Sequence, residues 1–310
     1  MADTLMEPPR FTNDQLAAWT NEGAVLIPSF FRADEIGPVY DEFTALYGGR
    51  DPGNQKAKKM FTGRKVGQFN LKQFTHIDNM PFANAPNLSM LGLHPALIAL
   101  ARAALQTEDV YLYQSHSWAK FTGETDFEQQ FHCDYKNHTL IVPSDDISER
   151  TINIMIYATD VDLDTGAISF VPHSLSDEIT GPDRPMFVDE DVKTQKELKA
   201  VEQRAPGRAG SVFAYGIDVF HRGMNLTRPG GKRYTLTASF KAKGNDMIGY
   251  TAWPFHFLQP WHYIFDAASP DQLACLGVPR PGDEFWTKRT LARAKERYPN
   301  WDMKDYESAL

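Results

Sequence analysis

At 310 residues, 42% hydrophobic and 23% charged, the chain has the composition of an ordinary globular protein with enough length to bury a substantial core. A net charge of -8, with no basic run longer than "KAKK" at 56–59, argues against nucleic acid and against an anionic membrane as partners. Two cysteines, Cys133 and Cys275, cannot build a disulfide framework, the opening "MADTLMEPPRFTND" lacks the regions of a signal peptide, and no apolar run suggests a bilayer span, so a reducing, cytoplasmic setting is expected.

In chain order, Thr12 and Gln15 have capping-box spacing and open a short helix through "DQLAAWTNEG", which Gly23 closes before the strand-like "AVLIPS". A second helix is predicted over 33–47. A third is predicted in "HPALIALARAALQ" at 94–106, after a polar, irregular stretch at 50–75. From residue 110 the texture changes. "VYLYQSHSWAKF", "RTINIMIYATDV", "GAISFVPHS", "GSVFAYG" and "RYTLTASFKA" are short aromatic or β-branched runs divided by turn residues, the pattern of an antiparallel barrel or jelly roll.

The expected organisation is one domain over 1–310. It has a mostly helical part at 1–109, a β core at 110–245 and an aromatic-rich, helical extension at 246–310. A charged insertion at 182–209 with one helix interrupts the core; its length suits a solvated flap or an active-site cover. The aromatic segment 253–265 reads as core or subunit interface, or as a pocket wall, so a homo-oligomer stays open. "DEFWTKRTLARAKERY" reads as a solvated, amphipathic terminal helix.

Within the β core, "FHCDY" at 131–135 places His132 and Asp134 on one face of an extended segment, with Cys133 turned away. Alone, such a tripeptide is more often a strand end than a metal site. His221, just after a later strand, supplies a third ligand type. Two histidines and one carboxylate on one side of a metal leave positions open for catalysis, as in non-haem Fe(II) oxygenases. Arg233, twelve residues on, offers a fork suited to an acidic co-substrate. Gln114, His116, Trp118 and Lys120 alternate onto one face of the strand before the motif. With Tyr135 they are the expected substrate contacts; a solvated strand edge is the other reading.

The set "HCD", "DTGAISFVPHSL" at 164–175 and "HRGMNLTRPGGKR" at 221–233 resembles the phytanoyl-CoA dioxygenase family of Fe(II)- and 2-oxoglutarate-dependent oxygenases, in order and spacing, over residues 8–245. The resemblance implies a double-stranded β-helix, jelly-roll or cupin-like, within a mainly β fold with flanking helices. It implies His132, Asp134 and His221 as iron ligands, Arg233 as the clamp on 2-oxoglutarate and Gln129 as a second contact to it. O2 is then a co-substrate, with ascorbate as a supporting reductant. Hydroxylation of a small metabolite or natural-product intermediate, with release of succinate and CO2, is the expected reaction, and the intact Asp134 disfavours halogenation. The chain departs from the family where His173 replaces a turn glycine, and where Ile168 and Gly223 stand in places that elsewhere carry hydroxyls; Lys120 or Ser169 would compensate. A zinc hydrolase on the same three ligands, or a barrel that binds a small acid without catalysis, are the alternative readings.

Overall fold

The computed structural model describes residues 8–48, 74–77, 80–122, 129–134, 138, 150–181, 188, 191–245, 248 and 260–310. Tyr135, most of the 50–75 stretch, part of the insertion at 182–190 and residues 253–259 of the aromatic segment lie outside them.

Helix α1 (Asn13–Glu22) carries the capping box in full, Gln15 N–H donating to Thr12 Oγ1 and Thr12 N–H to Gln15 Oε1. Gly23 ends it at φ 75°, and a Cβ there would stand 2.5 Å from the His173 ring, so this position needs glycine for conformation and for space. Strand β1 (Ala24–Ile27) and helix α2 (Ala33–Tyr47) follow, the latter burying Ile36, Val39, Phe43 and Tyr47 along one stripe. Short strand β2 (Phe74–Ile77) precedes helices α3 (Pro86–Leu91) and α4 (Pro95–Leu105). By length and composition alone the span Pro86–Leu105 would pass for a membrane-crossing helix. It is instead two helices parted at Gly92–His94, with Leu88, Leu97, Ile98, Ala101 and Leu105 buried in the largest apolar cluster.

The β core contains β3 (Val110–Phe121), β4 (Thr151–Tyr157), β5 (Ser169–Val171), β6 (Gln203–Arg204), β7 (Val212–Tyr215), β8 (Phe220–Arg222) and β9 (Lys232–Ala242). Six strands form one antiparallel sheet in the order β1-β7-β4-β9-β3-β2, and three form a second in the order β6-β5-β8. The pair of sheets is the expected double-stranded β-helix. Period two sorts its residues: on β9, Tyr234, Leu236, Ala238 and Phe240 pack outward with the helices, while Arg233, Thr235, Thr237 and Ser239 face a cavity between the sheets. On β3 a register shift between Leu112 and Gln114 makes Tyr113 a bulge. Beyond it, Gln114, His116, Trp118 and Lys120 share the inner face, opposite Ser239, Thr237, Thr235 and Arg233. The face is thus a cavity wall and not a solvated edge.

Two expectations are corrected. The 182–209 insertion is not wholly an excursion: after α5 (His173–Thr180) and α6 (Val192–Ala200), its end becomes β6 and pairs with β5. The pairing partner creates this two-residue strand, which has no pattern of its own. The helix expected in "DEFWTKRTLARAKERY" is present and mostly exposed, with Leu291 buried, but it is not the last element. After α7 (His262–Phe265), α8 (Pro270–Ala274) and α9 (Lys288–Arg297) comes α10 (Lys304–Ser308), whose Tyr306 packs in a ring cluster with Trp286 and Trp301. In the described part of the aromatic segment Ile264 is buried and Phe265 stacks on Tyr298, which is core packing.

Candidate metal centre

His132 sits in an isolated antiparallel bridge with His221, each backbone N–H donating to the other residue's carbonyl. That bridge adds the 131–134 segment to the edge of β8. Extended geometry then turns His132 and Asp134 to one side, while Cys133 is buried on the other, its Sγ 3.3 Å from Asp218 O. One donor atom from each of His132, Asp134 and His221 lies within 4.8 Å of the others.

The two imidazoles are oriented by their backbones. His132 Nδ1 is 3.0 Å from Gln130 O, and His221 Nδ1 is 2.9 Å from Val219 O. A carbonyl can only accept, so Nδ1 carries the proton in both rings and Nε2 presents its lone pair. Those Nε2 atoms stand 3.8 Å and 3.4 Å from Asp134 Oδ1. Asp134 Oδ2 is occupied separately, by Asn153 Nδ2 at 3.3 Å and the Tyr215 hydroxyl at 3.4 Å. One carboxylate oxygen and two ring nitrogens therefore converge, which fits a divalent cation with vacant positions.

The electrostatics agree. Burial opposes ionisation of Asp134, but the neighbouring His221, His138 and His132 outweigh it and hold the carboxyl well below the usual range. Burial likewise opposes charging of His221, and Asp134 overrides it and raises the imidazole's pKa. A cation placed between them would replace the imidazolium charge that Asp134 otherwise requires.

The three residues open onto a cavity of about 430 Å³. At another part of its wall, Lys120 and Arg233 are cross-strand neighbours, both buried. Burial and then the Arg233 charge push the Lys120 amine well below its ordinary pKa, and burial lowers the Arg233 guanidinium to about 10. Lys120 Nζ donates to Met224 O and Arg233 Nη1 to Gly166 O. Two repelling cations removed from water favour an anion beside them. Gln129 also lines the cavity, its Oε1 accepting Gly223 N–H at 2.8 Å. Along the wall, Gln114 Nε2 meets His116 Nδ1 at 3.0 Å, and Trp118 Nε1 donates to Thr237 Oγ1. Ser169 points elsewhere, to Glu202.

Sequence reasoning missed Asn153 and Tyr215, whereas His138, close after the ligand pair, reads from the sequence as a pocket-mouth residue or a satisfied turn and does line the cavity. Asn153 had a signal: it is the lone amide in "TINIMIY", and a buried amide in an apolar strand requires partners. His138 interacts electrostatically with Asp134, and its Nδ1 is 2.6 Å from the Tyr113 hydroxyl.

The phytanoyl-CoA dioxygenase family model matches residues 19–232. No protein with a curated description matches the chain by sequence. Among solved structures, EctD from S. alaskensis with 2-oxoglutarate and 5-hydroxyectoine is similar at 18% identity and TM-score 0.57, over 82% of this chain and 84% of that one. The epimerase SnoN from nogalamycin biosynthesis, in complex with Fe3+, alpha ketoglutarate and nogalamycin RO, is similar at 16% and 0.55, over 79% and 87%. HygX from Streptomyces hygroscopicus, with nickel and 2-oxoglutarate, is similar at 16% and 0.51, over 76% and 89%. At these identities the likeness is one of fold.

Proposed function

The chain belongs to the phytanoyl-CoA dioxygenase family, and from that premise we propose that it is an Fe(II)- and 2-oxoglutarate-dependent dioxygenase hydroxylating a compact, polar small molecule. His132 Nε2, Asp134 Oδ1 and His221 Nε2 would hold the iron. Arg233, with Lys120 beside it, would hold a carboxylate of 2-oxoglutarate, and Gln129 would contact the same co-substrate. Bound together, iron, 2-oxoglutarate and O2 supply the oxidising power to replace a substrate C–H by C–OH, with succinate and CO2 as co-products. Ascorbate would keep the iron reduced.

One observation carries the reading: three donor atoms within 4.8 Å and two buried cations share one cavity. The ligands prefer a cation and the Lys120–Arg233 pair an anion, which suits an acid that must reach both. What the residues themselves do is then orientation. The carbonyls of Gln130 and Val219 fix the imidazole tautomers, Asn153 and Tyr215 keep Asp134 Oδ1 turned toward the histidines, and the buried setting limits water at the cation pair.

The substrate class follows from the remaining wall. Gln114, His116, Asn153, Thr235, Thr237 and Ser239 offer hydrogen bonds along the sheet, while Trp118 and Met155 supply the apolar contact. A hydrocarbon chain laid on that wall would strand several polar groups at about 1–3 kcal/mol each. A molecule rich in hydroxyl, amide or carboxyl groups would not.

Anaerobic addition of Fe(II) and 2-oxoglutarate should give a weak visible charge-transfer band that Asp134→Ala abolishes. In air, succinate formation should be stimulated by a pool of small polar metabolites more than by long-chain acyl thioesters. Absence of the band would sink the oxygenase reading, and stimulation by acyl thioesters alone would sink the substrate class.

A further inference from the structure

Helix α6, in the inserted segment, buries Gln195 and Leu198 on one face while Val192 and Lys193 remain exposed. Leu198 packs in the cluster that contains Phe131 and Cys133, the residues flanking His132. Gln195 does more than pack. Its Oε1 accepts the Phe131 N–H at 2.9 Å, and its Nε2 donates to Phe131 O at 2.9 Å and to Val188 O at 3.0 Å.

A side-chain amide that gives one hydrogen bond to a residue's carbonyl and takes one from the same residue's N–H reproduces what a neighbouring antiparallel strand would supply. The segment 131–134 uses its other edge for the His132–His221 bridge. Gln195 thus stands in for a strand at the edge of the ligand segment, satisfying two buried backbone groups one residue before His132. Asp191 starts the helix from which it projects, accepting the Lys193 and Thr194 N–H groups, so the amide is held from a capped element.

We propose that Gln195 is a positioning residue for the metal centre: through its paired hydrogen bonds to Phe131, the inserted helix α6 fixes the backbone that aims His132 and Asp134. This gives the insertion a structural task at the metal centre, distinct from a flap or an active-site cover. The inference rests on the reading of His132, Asp134 and His221 as ligands.

The test titrates the metal-free full chain with Co(II), followed by visible absorption, beside a thermal melt of each variant. Gln195→Leu should remain folded and weaken Co(II) binding by about tenfold or more, the range typical of residues that orient ligands. In a His132→Ala background the same substitution should cost clearly less, because one of the two ligands it aims is gone. A general loss of stability would instead weaken binding equally in both backgrounds. If Gln195→Leu does not fold, Gln195→Glu, which keeps the acceptor for Phe131 N–H, carries the same comparison. Co(II) affinity within twofold of wild type, or equal losses in the two backgrounds, would overturn the role of Gln195. Equal Co(II) affinity in wild type, His132→Ala and His221→Ala would instead overturn the ligand reading on which it stands.

Discussion

The two charged parts of the cavity wall are built on opposite terms. Around Asp134, two imidazoles whose Nδ1 atoms are tied to backbone carbonyls point lone pairs at a carboxylate oxygen, a receptor for a cation. At Lys120 and Arg233, two buried cations lie side by side across β3 and β9, a receptor for an anion. The first is held by many backbone contacts, and its charges attract one another. The second is held against burial, which lowers the pKa of both members, and the Arg233 charge lowers that of Lys120 further.

The largest break in this comparison is expected at the cation receptor. His132→Ala or Asp134→Ala should remove iron-dependent turnover, by at least about 100-fold, since a three-residue set losing one member binds loosely. Succinate release with matched Fe(II) loading checks it. Next comes the anion receptor: Arg233→Ala should raise the 2-oxoglutarate requirement by roughly 10- to 100-fold, the loss of a charge-assisted hydrogen bond of about 1.5–3 kcal/mol. Iron affinity should be nearly unchanged. An equal loss of both would mean that the two parts of the wall are not separate receptors.

Lys120 sharpens the same contrast through pH. Its amine titrates low because it is buried and faces Arg233. A bound carboxylate favours the ammonium, so binding draws a proton onto Lys120. The sign follows: 2-oxoglutarate affinity should be highest where the amine is charged and should fall as pH rises through its depressed pKa. Lys120→Met should flatten that dependence, which titration calorimetry in buffers of different ionisation enthalpy would detect.

The sequence made one part of this legible and left the other half-hidden. Strand β3 begins and ends where its aromatic, β-branched run does, and β9 differs by one residue, because period-two burial leaves a local imprint. His132, Asp134 and His221 were legible from spacing and residue type. Tyr215 was not, and Asn153 showed only as a buried amide in need of a partner, since that partner is Asp134, remote in sequence, and a one-dimensional pattern does not carry such pairings. The insertion shows the same limit. Its helix was visible, but Gln195 looks like any solvated glutamine in "VKTQKELKA" until Phe131 is placed against it. Arg233 as a carboxylate clamp and Lys120 as a compensating contact are expectations of the sequence; that the two are neighbours needed the register.

The smallest effect lies between the two receptors, where Trp118 Nε1 donates to Thr237 Oγ1 at 3.1 Å across β3 and β9. Both residues line the cavity, and neither touches the ligands by any hydrogen bond described above. Thr237→Val keeps the β-branched shape that suits the strand and removes one hydrogen bond of about 1 kcal/mol. The indole would then lose part of what fixes its plane against the substrate wall. A few-fold rise in substrate KM is expected, with iron affinity and the 2-oxoglutarate requirement as in the wild type. That separation is the point of the variant. A change confined to substrate KM would mark the middle of the wall as the substrate's own ground, whereas a shift in the 2-oxoglutarate requirement would mean that the anion receptor extends along β9 as far as Thr237.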